Sequence, residues 1–218
     1  MTKMYFEKGD VFKLSKIKAV VFDLGGVLLE PAVLQMITSL SNELGIERRQ
    51  LVGFFKEHEE DRLRGNVSEI LIFEKAENKF DIKIEDKTML WLKTYQKYFK
   101  MRAEMFEVVS FLIRRKCKVG LLSNIDKATA EYIRYNMPLL FDEVVFSCNT
   151  GFIKPERQIY EMVLNKLQIF SEHVIMIDDR IENIEGAEAI GMQGILYTNF
   201  IQFKNDLEKY LEITLSSE

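Results

Sequence analysis

The chain has 218 residues, 47% of them hydrophobic, and 34 acidic against 30 basic side chains give a net charge of −4. That length buries a sizeable core, while the charge leaves no basic footprint for nucleic acid. No apolar run approaches the ~20 residues that cross a bilayer, so neither nucleic acid nor membrane is an expected partner. Two cysteines, Cys117 and Cys148, lack metal-type spacing and fit a reducing, cytoplasmic setting.

Residues 1–16 are mixed and charged, lack an apolar signal core, and read as an N-terminal extension. Residues 17–23 read as a buried strand, because Val20, Val21 and Phe22 are β-formers in a continuous apolar run. The strand ends on Asp23, the place where open α/β sheets bind ligands, and turns at Gly25-Gly26. The same residues also suit a plain Asp-initiated turn. After Glu30-Pro31 the spacing becomes helical. Leu34, Ile37, Leu40 and Leu44 share one face, closed by Gly45. Leu51, Phe54 and Phe55 open a second helix that runs through the charged Lys56–Arg64 to Gly65-Asn66. Ile70, Leu71, Phe73 and Phe80 follow a cap at Val67-Ser68-Glu69. Leu90, Trp91, Tyr95, Tyr98 and Phe99 line a fourth helix. Four amphipathic helices in a row make a bundle, and the aromatics are expected in its core.

From Glu104 onward the texture alternates. Helices are predicted at 104–116, 126–136, 156–167, 182–190 and 201–213, and strands at 118–122, 143–146, 174–177 and 194–197. Strands alternating with helices of this length imply crossovers and a parallel sheet. The expected fold is α/β: a Rossmann-like, doubly wound parallel core (17–31 and 101–213) with an inserted all-α helical cap (32–100).

Several polar residues fall at the strand ends. Asp23 ends the first strand, Ser123-Asn124 follows the second, Lys154 follows the third, and Asp178-Asp179 ends the fourth. A doubly wound sheet gathers those ends on one edge. A carboxylate there can act as a nucleophile. Converging carboxylates repel unless a hard cation such as Mg²⁺ joins them, and a hydroxyl and an ammonium can hold phosphoryl oxygens. Each piece alone also reads as a helix cap or loop. His58 and His173 lie among glutamates, without a Ser or Cys partner for a triad.

The set resembles the haloacid dehalogenase (HAD) superfamily, in the branch with a helical cap after the first strand. Phe22-Asp23-Leu24-Gly25-Gly26-Val27-Leu28, Leu121-Leu122-Ser123-Asn124, Gly151-Phe152-Ile153-Lys154-Pro155 and Ile177-Asp178-Asp179-Arg180-Ile181-Glu182-Asn183 carry the resemblance. Arg64-Gly65-Asn66-Val67-Ser68 resembles a cap feature of the epoxide-hydrolase-like and sugar-phosphatase-like members. The resemblance implies a phosphatase in which Asp23 is the nucleophile and a Mg²⁺ ligand. It further implies a metal contact from the Gly25 carbonyl, direct ligation by Asp179, and ligation by Asp178 through water. Ser123 and Asn124 would bind the phosphoryl group, Lys154 would stabilise its charge, and Asn183 would orient the fourth loop.

One position departs from the pattern. Such phosphatases carry a second Asp, the acid/base, two residues after the nucleophile, and here that residue is Gly25. Three readings follow: hydrolysis of a small phosphorylated metabolite such as a sugar phosphate without that acid; binding of a phosphorylated ligand or protein partner without turnover; or dehalogenase chemistry, against which the paired Asp178-Asp179 argues. Lys56, Arg62 and Arg64 are candidates to meet a second anionic group, or else a solvated helix face. A monomer or homodimer is expected.

Overall fold

The apolar runs predicted as strands pair edge to edge in a computed structural model of the protein, which describes residues 16–137 and 140–212. β1 (Ala19–Phe22), β2 (Lys118–Ser123), β3 (Glu143–Phe146), β4 (Val174–Asp178) and β5 (Gln193–Leu196) form one sheet in the order β3-β2-β1-β4-β5. Every pairing is parallel, and Phe22 stands opposite both Leu121 and Ile177. The expected extension at 1–16 lies almost wholly outside the described residues.

Alternation along the strands divides the core. Val20, Phe22, Leu121, Ile175 and Ile177 point to one face, where α6 (Ala103–Arg114), α7 (Lys127–Asn136) and α10 (Phe200–Leu211) cover them. Ala19, Val21, Leu122, Val174 and Met176 point to the other, against α8 (Arg157–Leu167) and α9 (Ile181–Glu188). Both faces are apolar because both are covered, which is why the strands read as unbroken hydrophobic runs. The result is the α/β, doubly wound parallel sheet that the spacing predicted.

Between β1 and α6 lie five helices rather than four: α1 (Val33–Leu44), α2 (Arg48–Glu57), α3 (Glu59–Leu63), α4 (Glu69–Phe80) and α5 (Lys87–Tyr98). The predicted second helix breaks at His58, which leaves helical geometry at φ −110° while its ring packs on Phe54. These helices enclose a core of their own, including Leu40, Leu51, Phe54, Ile72 and Phe73. Phe54, Phe55, Phe73, Phe80 and Trp91 meet mostly edge to face, with ring centroids 5.6–6.3 Å apart.

The bundle is fastened to the sheet domain near Gly65. Arg64 donates from Nη1 to the Gly151 carbonyl at 2.8 Å and grips Glu156 with both terminal nitrogens. Ser147 Oγ donates to the Leu63 carbonyl at 2.6 Å and accepts from Ile125 N at 3.0 Å. Gly65, at φ +74°, lies so close to the Cys148 carbonyl that a Cβ there would stand 2.1 Å from its oxygen. Trp91 Nε1 donates to Thr129 Oγ1 at 3.1 Å on the same interface.

Candidate active site

The carboxyl ends of β1, β2 and β4, with the loop after β3, bring the predicted polar residues together. Asp23 follows β1, held by its backbone N–H on the Ile177 carbonyl at 2.8 Å. Lys154 is buried between two carboxylates: its Nζ lies 2.7 Å from Asp23 Oδ1 and 2.6 Å from Asp178 Oδ2, and it donates to the Leu122 carbonyl at 3.0 Å. A buried ammonium needs such partners to offset its lost hydration. Burial alone would lower its pKa, but the two carboxylates raise it, and Lys154 stays charged.

Asn124 performs a role that its place in the sequence did not disclose. Its side-chain amide donates to the Lys154 carbonyl at 2.9 Å and accepts from the Lys154 backbone N–H at 2.8 Å. This two-point clamp ties the loop after β3 to the end of β2 and sets the lysine under Asp23. Ser123 is buried on the cavity wall beside it.

The two aspartates of the fourth loop differ. Asp178 is fully buried, and both of its oxygens are engaged, Oδ2 by Lys154 and Oδ1 by Arg180 N and Asn183 Nδ2, each at 2.9 Å. Asn183 therefore locks the loop, and Tyr160 secures it from α8 by donating to the Asn183 carbonyl at 2.7 Å. Asp179 is exposed and reaches over Gly26, where a Cβ would stand 2.0 Å from its Oδ2. Gly26 holds φ +88°, so both its conformation and its bareness are required there. Gly25 faces the cavity with nothing within 4 Å of where its Cβ would be.

Burial pushes the Asp23 carboxyl up to about 6; Lys154 opposes this and the neighbouring Asp178 adds to it. Partial desolvation of its carboxyl, and then the charge of Asp178, raise the Asp179 pKa. Asp23, Asp178 and Asp179 offer carboxylate oxygens that all lie within 4.8 Å of one another. Three ionised carboxylates against one ammonium leave an excess of negative charge. Clustered anionic oxygen is the donor set that a hard divalent cation takes.

Above these groups a cavity of about 490 Å³ opens between the sheet edge and the bundle. Trp91, Tyr95, Tyr98 and Phe99 were expected in the bundle core; Trp91 lies in it with Tyr95 and Tyr98 packed against it, and all four also line the cavity, because α5 faces the sheet edge as well as its own bundle. Arg62 also lines it and pairs with Asp126 at 3.7 Å. Asp126 was not singled out in the sequence; it caps α7 by accepting from Thr129 N at 3.0 Å, so the cap falls on Asp126 and not on Ser123-Asn124. An Asp three residues before a helical Thr is the signal that could have found it. Neither histidine lines the cavity, and both cysteines are buried, with thiol pKa values pushed up to about 12 at Cys117 and about 11 at Cys148.

Comparison with known proteins adds four findings. A family model described as haloacid dehalogenase-like hydrolase matches residues 17–191. The phosphorylated carbohydrates phosphatase of Thermotoga maritima is 23% identical over 188 residues, covering 82% of this chain and 84% of that protein. The bifunctional epoxide hydrolase 2 of Mus musculus is 39% identical over 69 residues, 32% of this chain but only 12% of that protein. Among solved structures, the HAD family enzyme BT-2542 of Bacteroides thetaiotaomicron, in complex with magnesium and inorganic phosphate, superposes with TM-score 0.67. That match has 20% identity and covers 84% of this chain and 94% of that one, a likeness of fold.

Proposed function

The chain belongs to the haloacid dehalogenase-like hydrolases, and from that premise we propose that it hydrolyses a small phosphate monoester through a phosphoryl intermediate on Asp23. The observation that carries this reading is the buried Asp23–Lys154–Asp178 contact at the floor of the cavity. It supplies a nucleophilic carboxylate and a fixed positive charge at one point. A Mg²⁺ ion fits the donor set; Asp23 and Asp179 would hold it with the Gly25 carbonyl, and Asp178 would act at one remove because both its oxygens are engaged. When bound, the ion would offset charge on the phosphoryl oxygens.

Asp23 attacks phosphorus and the bond to the ester oxygen breaks, leaving an acyl phosphate on the enzyme. Lys154, Ser123 and the Asn124 backbone N–H receive the phosphoryl oxygens as charge develops. Water then attacks phosphorus, which regenerates Asp23 and releases phosphate. Gly25 supplies no acid, so the departing oxygen takes its proton from water, which slows turnover by about 10²–10⁴-fold relative to a positioned carboxylic acid. The bundle covers this chemistry as a cap and chooses the substrate.

The test is phosphate release from p-nitrophenyl phosphate with and without Mg²⁺. Release should require the ion and fall by roughly 10⁴–10⁶-fold in Asp23→Asn. Gly25 also favours a second reading, in which the site binds a phosphorylated ligand without turnover. Mg²⁺-dependent binding of phosphate without release from any ester would establish that reading in place of the first.

A further inference from the structure

We infer that the cavity accepts a phosphate monoester whose alcohol is an apolar chain or ring rather than a sugar; the inference rests on the phosphatase reading above. Away from the carboxylates the wall is built from Met36 and Ile37 of α1, Phe55 of α2, and Trp91, Tyr95 and Tyr98 of α5. A buried sugar presents a hydroxyl on nearly every carbon, and each one left without a partner costs roughly 1–3 kcal/mol. This wall has few partners to offer. The Tyr98 hydroxyl has Ser39 and then Lys97 as polar neighbours, which lower its pKa. The Arg62 guanidinium lies 5.4 Å from the ring centroids of both Phe55 and Trp91 and is paired with Asp126. It is held as part of the aromatic wall with Asp126 facing its charge, while its Nε has no hydrogen-bond partner among the described residues. Arg64, the other arginine that could have met a second anionic group, is turned to Glu60, Glu156 and the Gly151 carbonyl. Lys56 and Glu59 also border the cavity but are exposed, at its rim.

The mouth continues this chemistry. Val33 and Leu34, at the start of α1, border the cavity and remain 67% and 59% exposed. A chain too long for the interior would pass out over these two side chains. A mostly apolar wall between floor and mouth, with one charged end at the floor, suits an amphiphile with a phosphate head.

The experiment measures kcat/KM with Mg²⁺ for monomeric n-alkyl phosphates from ethyl to octyl, beside glucose 1-phosphate, glucose 6-phosphate and p-nitrophenyl phosphate. Each added methylene should raise kcat/KM by about two- to fourfold, and octyl phosphate should exceed both glucose phosphates by at least about 100-fold. Val52→Gln, a half-buried position on the wall, should lower the octyl-to-ethyl ratio at least about fivefold. A rate flat along the series, glucose phosphates matching octyl phosphate, or an unchanged ratio in Val52→Gln would overturn the inference while p-nitrophenyl phosphate is still hydrolysed. If no ester is hydrolysed, the phosphatase reading is what has failed. Calorimetry with the same alkyl phosphates then decides the cavity: affinity that tightens with chain length sustains it, and affinity independent of length overturns it.

Discussion

At the sheet edge three carboxylates cluster beside one ammonium that pairs with two of them, whereas the two arginines of α3 and its end, Arg62 and Arg64, each pair with a carboxylate on the sheet domain before any ligand arrives. Both regions bury charge, and they use it differently. The edge keeps an excess of negative charge that a cation and a phosphoryl group can complete. The bundle side is neutralised pair by pair and presents aromatic and aliphatic surface to the same cavity. Under the proposed function, chemistry and selection are thus separated in space and in chain order.

The largest effect should come from removing the buried ammonium of the edge. Lys154→Met leaves Asp23 and Asp178 facing each other without the ammonium that both now touch. Loss of one partner from a buried charge cluster costs on the order of 3–5 kcal/mol, and a lost charge-stabilising donor costs roughly 10²–10³-fold in kcat. Arg64→Ala, by contrast, takes away a half-buried pair of the bundle side, and kcat should move far less than in Lys154→Met. Thermal melts and phosphate-release rates on both variants check this. If Arg64→Ala costs as much in kcat as Lys154→Met, the division between the two regions is wrong.

The next effect separates adjacent glycines. Gly26→Ala meets both a positive φ and the Asp179 carboxylate. The backbone penalty alone is about 1–2 kcal/mol, and Asp179 must also move, so both Tm and Mg²⁺ affinity should fall. Gly25→Ala meets open space and should leave Tm within about 1 °C of the parent. Gly25→Asp should also fold and, by restoring an acid at that position, raise kcat by about 10²–10⁴-fold. Unchanged turnover in a folded Gly25→Asp protein would show that leaving-group protonation does not limit the rate.

The same contrast explains what could be read in advance. The strands were legible because both faces of the sheet are covered, which leaves an unbroken apolar signal in Val20–Phe22 and Val174–Ile177. The strand-end residues Asp23, Ser123, Lys154 and Asp178 were legible because a parallel sheet delivers every such end to one edge. The bundle was legible as helices but not as a cavity wall. A period of 3.6 shows that Trp91 and Tyr95 share an apolar face, and says nothing about whether that face meets another helix or empty space. Asn124 was placed correctly, but its clamp on the Lys154 backbone depends on two loops that meet only in three dimensions. Arg62 and Asp126 pair across 64 positions of chain, with no local pattern to announce them.

The smallest expected effect lies where the two regions touch. Glu69, in the first turn of α4, is buried, and its Oε1 has no hydrogen-bond partner among the described residues. Burial first, then the charge of Asp126 and a hydrogen bond to it, push its carboxyl up to about 7 from an ordinary 4.5. Asp126 is itself approached by Arg62, so two neighbouring carboxyl groups and a guanidinium meet where the bundle touches the sheet domain. Between pH 4.5 and about 7 the folded state binds more protons at this site than the unfolded chain does. Stability from this group therefore falls as pH rises through that window and levels off above it. Glu69→Gln keeps a donor for Asp126 and removes the ionisation. Its Tm relative to the parent should rise from pH 5 to about pH 7 and level off toward pH 8. A Tm difference that stays constant across that range would mean that ionisation of Glu69 does not weaken the fold.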